Sequence, residues 1–245
     1  MSRDGDDRWL LVRGTAATWA KFRRDWSATP RLAKRRWLTT LMIGFTASAA
    51  LTAGLTAVVR SNEATLHATD ERVLRAVERG PVSFSNAILL ESFGNLAYMV
   101  PVTVAATVVA ARAGRPLLAL TFPVAYVLQR PLVLIGWWTW NRPRPAFLAG
   151  GIAAPPLHSF PSGHVALMLA VYGLLAWLWI RSTRKAAERA LIVLLLTMLL
   201  LTVGWARLRL GTHWPSDILA GYIIGAAWLA SVVSAVARAE GAGGR

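Results

Sequence analysis

Six apolar runs, most of them about 20 residues long, dominate this chain of 245 residues. A helix needs about 20 apolar residues to cross the hydrocarbon core of a bilayer. Hydrophobic residues make up 55% of the chain and the mean hydropathy is +0.45, which is unusually apolar for a soluble domain. The sequence therefore predicts an all-α integral membrane protein, a six-transmembrane helix bundle. The predicted spans are residues 37–59, 82–111, 116–138, 162–180, 190–205 and 216–237.

The basic residues indicate how the bundle is oriented in the membrane. The net charge is +15, and the charge is concentrated in residues 1–36 and in the turns around 112–115 and 181–189. Basic loops stay on the cytoplasmic side, so we expect both termini to lie in the cytoplasm of a multi-pass protein of the cell membrane. No nucleic-acid-binding motif accompanies the charge, which suits anionic lipid headgroups better than nucleic acid. The absence of cysteine excludes a disulfide framework and a thiol nucleophile.

Three segments follow from these spans. Residues 1–36 are basic and carry no early apolar core, so we expect a cytoplasmic segment and no cleavable signal peptide. Its tryptophans among arginines and lysines are compatible with an interfacial helix or with a partly disordered tail, and both readings stay open. Residues 37–237 form the membrane domain, and residues 238–245 form a short cytoplasmic tail. Between the first two spans, apolar residues at helical spacing near 70–79 predict a short surface helix.

Three polar strings lie at span ends that the orientation places on the extracytoplasmic side. They are Arg142-Pro143-Arg144-Pro145, Pro161-Ser162-Gly163-His164, and Arg207 followed by His213 and Asp217. Charged groups near hydrocarbon are costly, so such a cluster indicates a functional site. The guanidinium fork of arginine matches the oxygens of a phosphate, and Arg144 and Arg207 are the candidates for binding one.

The second string opens a helix. Ser162 suits the N-cap position, and the free N–H groups of a first helical turn also form an anion site. Gly163 lets the backbone approach a phosphate closely, and Ser162 Oγ is able to donate to it. No Gly-x-Ser-x-Gly elbow is present, so Ser162 is not predicted to be a nucleophile.

The third string supplies a nucleophile. Asp217 lies four residues after His213 and is expected to accept a hydrogen bond from one ring nitrogen, leaving the other free to attack. His164 is then the candidate general acid. Two histidines and an aspartate are also able to hold zinc, but flanking arginines repel a dication and attract an oxyanion. We therefore expect no metal and no cofactor.

In order and spacing, the strings resemble those of the type 2 phosphatidic acid phosphatase family, which shares a superfamily with bacterial acid phosphatases and vanadium haloperoxidases. The matching positions are Arg144-Pro145, Ser162-Gly163-His164 and Arg207-x5-His213-x3-Asp217. The resemblance covers about residues 37–237 and implies an acid phosphatase/haloperoxidase-like core. It also implies a phosphohistidine intermediate, with His213 as nucleophile, Asp217 orienting it and His164 protonating the leaving oxygen. Arg144, Arg207, Ser162 and the Gly163 amide would hold the phosphoryl oxygens.

Two positions depart from the family pattern. Trp137 stands where the family has lysine, and Ala206 stands where it has serine. Either Arg142 or Arg209 replaces the missing cation, or the substrate differs, or the enzyme is slow. Arg142 is accordingly included among the candidate substrate-binding residues.

The expected function is hydrolysis of a membrane lipid phosphate on the extracytoplasmic face. The substrate is a phosphomonoester or pyrophosphate of the phosphatidic acid or undecaprenyl (polyprenyl) pyrophosphate type. Two alternatives stay open: transfer of the phosphoryl group to an alcohol, and a degenerate member that binds lipid phosphate without turnover. The sequence does not indicate the oligomeric state.

One further prediction concerns charges inside the spans. Glu91 and Arg130 lie at similar depths, roughly 12–13 Å below the outer ends of the second and third spans at 1.5 Å per residue. Because an unpaired charge at that depth is costly, the two are expected to pair or to share a polar network.

Overall fold

The computed structural model of the protein describes residues 4–146 and 157–243, with side chains from residue 14 to residue 242 of these ranges. Predictions for the ends of both termini therefore lie outside the described residues. The helices are α1 (Asp4–Ala28), α2 (Arg31–Ser61), α3 (Glu63–Glu78), α4 (Phe84–Glu91), α5 (Leu96–Arg112), α6 (Pro116–Thr139), α7 (Gly163–Ser182), α8 (Ala186–Arg209) and α9 (Pro215–Gly243).

The six predicted spans are confirmed. The helices α2, α6, α7, α8 and α9 are each long and apolar enough to cross a membrane, and α4 with α5 forms the remaining span, Phe84–Arg112. The predicted surface helix is also confirmed as α3. It packs Leu74 and Val77 against Trp214, just before α9.

Contacts between helix ends define the two ends of the bundle. Glu240, near the end of α9, pairs with Arg115 before α6 and with Arg181 at the end of α7, the latter at 2.8 Å. At the opposite end, Arg60 of α2 donates to the carbonyl of Thr139 at the end of α6, at 3.1 Å. This second end, called the motif end below, carries the C-termini of α2, α6 and α8 and the N-termini of α4, α7 and α9.

Small residues let α9 pack closely against its neighbours. A methyl group added at Gly225 would lie 2.8 Å from the carbonyl oxygen of Ala166 on α7. Beside this contact, Trp228 is fully buried and donates from Nε1 to the carbonyl of Ala125 on α6, at 3.0 Å. Close backbone approach and interhelical hydrogen bonds are the main sources of helix association in lipid, where apolar burial adds little.

This packing predicts that Gly225→Ala destabilises the bundle. The new methyl group would meet backbone atoms of α7, which cannot rotate away, so we expect a cost of about 1–3 kcal/mol and a lower thermal midpoint. Gly54→Ala on α2 is the matched control, because nothing lies within 4 Å of its added methyl group. The control should be neutral or slightly stabilising, since alanine favours a helix over glycine. Equal midpoints for the two variants in detergent would contradict the close contact.

Several helices extend beyond the predicted span bounds, most of all the first and the last. The first span begins at Arg31 instead of Trp37, directly after Pro30, which lacks an N–H and separates α1 from α2. The last helix continues to Gly243 instead of ending near 237, because Glu240 pairs with Arg115 and Arg181 and holds the final turns against the bundle.

The N-terminal segment is helical in its described part. On α1, Thr18 accepts a hydrogen bond from Nε of Arg112 at 3.0 Å. Phe22 packs with Leu118 and Phe122 of α6. The segment from Asp4 to Ala28 is thus a helix in the structure, and its place at a membrane surface stays a prediction.

The second span is not continuous. A 3-10 turn at Ser92–Gly94 separates α4 from α5, and Asn95 has the extended backbone that precedes a helix. This break lies at the motif end and brings Glu91 and Asn95 to the site described next.

Candidate active site

The motif end surrounds a cavity of about 760 Å³. Its wall includes Arg144 from the loop after α6, Gly163 and His164 from the start of α7, Arg207 from the end of α8, and His213 from the loop before α9. Four of the predicted side chains and the Gly163 backbone therefore meet in one place, although the residues are spread over 70 positions of sequence.

One ring nitrogen of His213 forms a hydrogen bond with the backbone. Its Nδ1 lies 2.8 Å from the carbonyl oxygen of Ser159, which accepts only if Nδ1 carries the proton. Nε2 is then left with a lone pair. The side chain is 2% exposed, and burial lowers the pKa of His213 from 6.5 to about 4, against the opposing effect of Asp217. The ring is therefore neutral at pH 7, as a nucleophile requires.

The prediction that Asp217 accepts a hydrogen bond from His213 is wrong. Nδ1 of His213 lies 3.7 Å from Oδ2 of Asp217, which is longer than a hydrogen bond, so the carboxylate acts through its charge. Ser159 stands between them: its carbonyl accepts from His213, and its hydroxyl donates to Oδ2 of Asp217. The backbone N–H of Trp214 also donates to Oδ2, at 2.8 Å.

Arg142 does not line the cavity, so its assignment as a phosphate ligand is wrong. The side chain is 1% exposed and donates from Nη1 to Oδ1 of Asp217 at 2.6 Å, and from Nη2 to Oδ2 of Asp70 at 2.9 Å. Asp70, on α3, also accepts from the hydroxyl of Ser216 at 2.6 Å. Arg142 thus holds Asp217 in place and ties α3 to the start of α9.

The two cavity arginines each keep a free donor. Arg144 donates to the carbonyls of Thr212 and His158, the latter at 3.4 Å, and Arg207 donates to Glu91. Nε of both arginines is buried and has no partner among the described residues. Burial and the neighbouring Arg207 lower the pKa of Arg144 below its usual value, and Asp217 opposes this shift. Two guanidinium groups with unused donors in one cavity suit an oxyanion.

The predicted Glu91–Arg130 pair is wrong. Glu91 pairs with Arg207, because the 3-10 turn redirects α4 against α8. Arg130 instead lies over the ring of Trp137, with its guanidinium carbon 4.8 Å from the ring centroid.

His164 is oriented by residues that the sequence did not reveal. Its Nε2 lies 2.9 Å from Oδ1 of Asn95 and 4.0 Å from Oε2 of Glu91. Gly94 permits this approach, because an added methyl group would be 3.0 Å from the histidine ring. Asn95 and Glu91 come from the break in the second span, which has no clear signature in an apolar run.

Ser162 is the N-cap residue of α7, but its side chain makes no capping hydrogen bond, contrary to prediction. The residue is fully buried, and Oγ has no partner among the described residues. Its backbone N–H donates to the carbonyl of Asp217 at 3.1 Å. A buried hydroxyl without a partner is costly, so Ser162 retains a donor for another group.

Neither proposed substitute for the missing lysine lies in the cavity. Arg142 is engaged as described, and Arg209 donates from Nε to the carbonyl of Val82 at 3.0 Å. Trp137 itself lines the cavity and donates weakly, at 3.4 Å, to the carbonyl of Pro161. Across residues 4–146 and 157–243, no group of three His, Cys, Asp or Glu is placed to hold a metal ion.

The buried neutral His213 makes stability depend on pH. The unfolded chain binds a proton near pH 6.5 and the folded chain near pH 4, so stability is lost as pH falls through this window. Between about pH 7.5 and pH 5 the loss should be about 2 kcal/mol. We expect the thermal midpoint of the wild type to fall more than that of His213→Asn over this range. Equal falls would show that other groups cause the acid sensitivity.

Comparisons with known proteins show a family by sequence and a shared fold by structure. A family model described as the PAP2 superfamily matches residues 117–240. A transmembrane PAP2-type phosphatidylglycerolphosphate phosphatase from Bacillus subtilis superposes with a TM-score of 0.65 at 20% identity, covering 77% of this chain and 94% of that one. LpxE from Aquifex aeolicus superposes with a TM-score of 0.51 at 20% identity, covering 68% and 93%. No curated protein matches the sequence.

Proposed function

Because the chain belongs to the PAP2 superfamily, we propose that it is a metal-independent phosphatase that hydrolyses a lipid phosphate through a phosphohistidine intermediate. The observation that carries the proposal is the single cavity that holds His213, His164, Arg144 and Arg207. A neutral nucleophile, a proton carrier and two cations at one point are the parts that phosphoryl transfer requires.

In the first step, Nε2 of His213 attacks phosphorus and the bond to the lipid oxygen breaks. His164 gives its proton to that oxygen, and the lipid alcohol or lipid phosphate leaves. In the second step, a water molecule attacks the phosphohistidine. His164, now neutral, takes the proton of the water, and inorganic phosphate leaves while His213 is restored.

The other residues hold the reacting groups in position. Nε of Arg144, Nε of Arg207, the Ser162 hydroxyl and the Gly163 amide are the donors proposed for the phosphoryl oxygens. Ser159, Asp217 and Arg142 form the chain of contacts that fixes the orientation of His213. Asn95 orients His164. Such fixed donors act on charge that develops in the transition state, which is the main source of catalysis in sites of this kind.

The distribution of charge supports an extracytoplasmic site. The turns 112–115 and 181–189 lie at the end of the bundle opposite the cavity, together with the basic α1. Basic turns of this kind remain in the cytoplasm. We propose that both termini are cytoplasmic and that the motif end faces outward.

Phosphate release by the purified protein tests the proposal. The assay uses a chelator and a panel of phosphatidic acid, phosphatidylglycerol phosphate, and a polyprenyl monophosphate and diphosphate. We expect release from at least one lipid by the wild type and from none by His213→Ala. No release from any of them, or release by both proteins, would overturn the proposal.

A further inference from the structure

The cavity continues well beyond the catalytic groups along one face of α6. Tyr126, Gln129, Arg130, Val133 and Trp137 line it, at the spacing of a single helical stripe. Tyr126 lies 11 positions before Trp137, or about 16 Å along the helix axis at 1.5 Å per residue. A lipid headgroup seated at His213 therefore has polar neighbours on α6, on the side toward its acyl or prenyl chain.

Arg130 is a cation in this stripe without an anionic partner. It makes no hydrogen bond or ion pair with any residue of 4–146 or 157–243, and its described contact is with the Trp137 ring. Trp137 in turn touches the carbonyl of Pro161, which directly precedes the phosphate-binding residues Ser162 and Gly163. Trp137 thus connects the Arg130 guanidinium to the segment that begins the reaction site. An unpaired arginine within a membrane span is costly unless it serves a ligand.

Gln129 gives an independent indication of a ligand. Its side chain is 1% exposed and lines the same cavity, and neither its amide nitrogen nor its amide oxygen has a partner among the described residues. A buried amide without hydrogen bonds destabilises a protein, so a polar group belongs beside it.

We propose that Arg130 and Gln129 form a second subsite, which binds the lipid-side phosphate of a lipid diphosphate. This proposal rests on the proposed function. Arg144 and Arg207 would hold the terminal phosphate as His213 bonds to its phosphorus. The bridging P–O bond breaks, and the electron pair leaves with the lipid monophosphate, whose charge Arg130 stabilises. A lipid with one phosphate offers this subsite only ester or ether oxygens, which do not neutralise a guanidinium.

The subsite also explains the departure at position 137. Trp137 cannot bind phosphate as a lysine does, but its ring positions Arg130, so the cation comes from two turns earlier on the same helix. We therefore expect Trp137→Lys to lower kcat/KM for the diphosphate, because the change removes the ring and places a second cation beside Arg130.

The test compares a prenyl monophosphate with the prenyl diphosphate of the same chain. Arg130→Gln should lower kcat/KM for the diphosphate by about 10- to 100-fold and for the monophosphate by less than about 3-fold, the range expected for a lost charged hydrogen bond. Gln129→Leu should also lower kcat/KM for the diphosphate relative to the monophosphate, but by a smaller factor. Arg130→Lys should retain part of the preference for the diphosphate that Arg130→Gln loses. The control is Arg72→Gln on the exposed surface of α3, which removes the same charge outside the cavity and should leave both values unchanged.

Equal losses on both substrates, or no loss, in a folded Arg130→Gln protein would overturn the subsite. A wild type that releases phosphate from no lipid of the panel would contradict the proposed function instead. The subsite is then tested by binding of the intact diphosphate in the His213→Ala background. Adding Arg130→Gln there should raise Kd by about 10-fold or more, and an unchanged Kd would exclude it.

Discussion

Replacing His213 with alanine should reduce lipid phosphate hydrolysis by about 10⁴-fold or more, as removal of a nucleophile does in other covalent mechanisms. The change removes the atom that would bond to phosphorus. It also removes the buried ring that contacts Ser159 and Asp217, so the thermal midpoint must be measured alongside activity. His67→Ala is the matched control, because His67 lies at the motif end, is exposed and does not line the cavity.

A covalent intermediate gives this prediction a second readout. Acid quenching destroys a phosphohistidine, whereas alkaline denaturation preserves it. Wild type mixed with a labelled substrate should therefore carry alkali-stable label, and His213→Ala should carry none. A folded His213→Ala protein that retains label or turnover would exclude His213 as the nucleophile.

Much of the site could be predicted because its strings are local and their helices alternate in direction. Arg144, His164, Arg207 and His213 each lie beside the end of an apolar run, and six antiparallel spans bring those ends together. The roles of Arg142 and Arg144 could not be separated in this way, since the two are neighbours in one loop. The two differ in structure because Arg142 donates to Asp70. Asp70 lies on α3, 72 positions before Arg142.

The wrong pairing of Glu91 shows a second limit. Treating residues 82–111 as one straight helix placed Glu91 level with Arg130. The 3-10 turn at Ser92–Gly94 changes the direction of the chain and brings Glu91 to Arg207. Apolar residues on both sides of a break read the same in sequence, so hydropathy alone does not reveal it.

The role of Ser159 was also beyond the sequence. It acts on His213 through a backbone carbonyl, a group that every residue possesses. Asp217 nevertheless lies at the centre of the same arrangement, so the motif predicted which groups lie together but not the contact that joins them. The spacing of four residues brings His213 and Asp217 near each other, but the Trp214 N–H and the Ser159 hydroxyl occupy the oxygen that the histidine was expected to use.

Replacing His164 with alanine should have an effect that depends on the leaving group. For a lipid monophosphate the leaving alkoxide must be protonated, so we expect kcat to fall by about 10²- to 10⁴-fold. For an aryl phosphate with an acidic phenol, the leaving group needs little protonation. The rate of bond cleavage should therefore fall by less than about 10-fold. Asn95→Ala, which removes the group 2.9 Å from Nε2, should show the same dependence with smaller losses.

The aryl substrate also separates the two steps. His164 is proposed to take a proton from the attacking water, so His164→Ala should form the phosphohistidine and hydrolyse it slowly. A burst of phenol and an accumulation of alkali-stable label are expected, while the wild type shows neither to the same degree. Equal losses in the rate of bond cleavage for both leaving groups, with no burst, would reduce His164 to a residue that only shapes the cavity. A retained burst that vanishes on adding His213→Ala would assign the acid–base role to His164 and the covalent bond to His213.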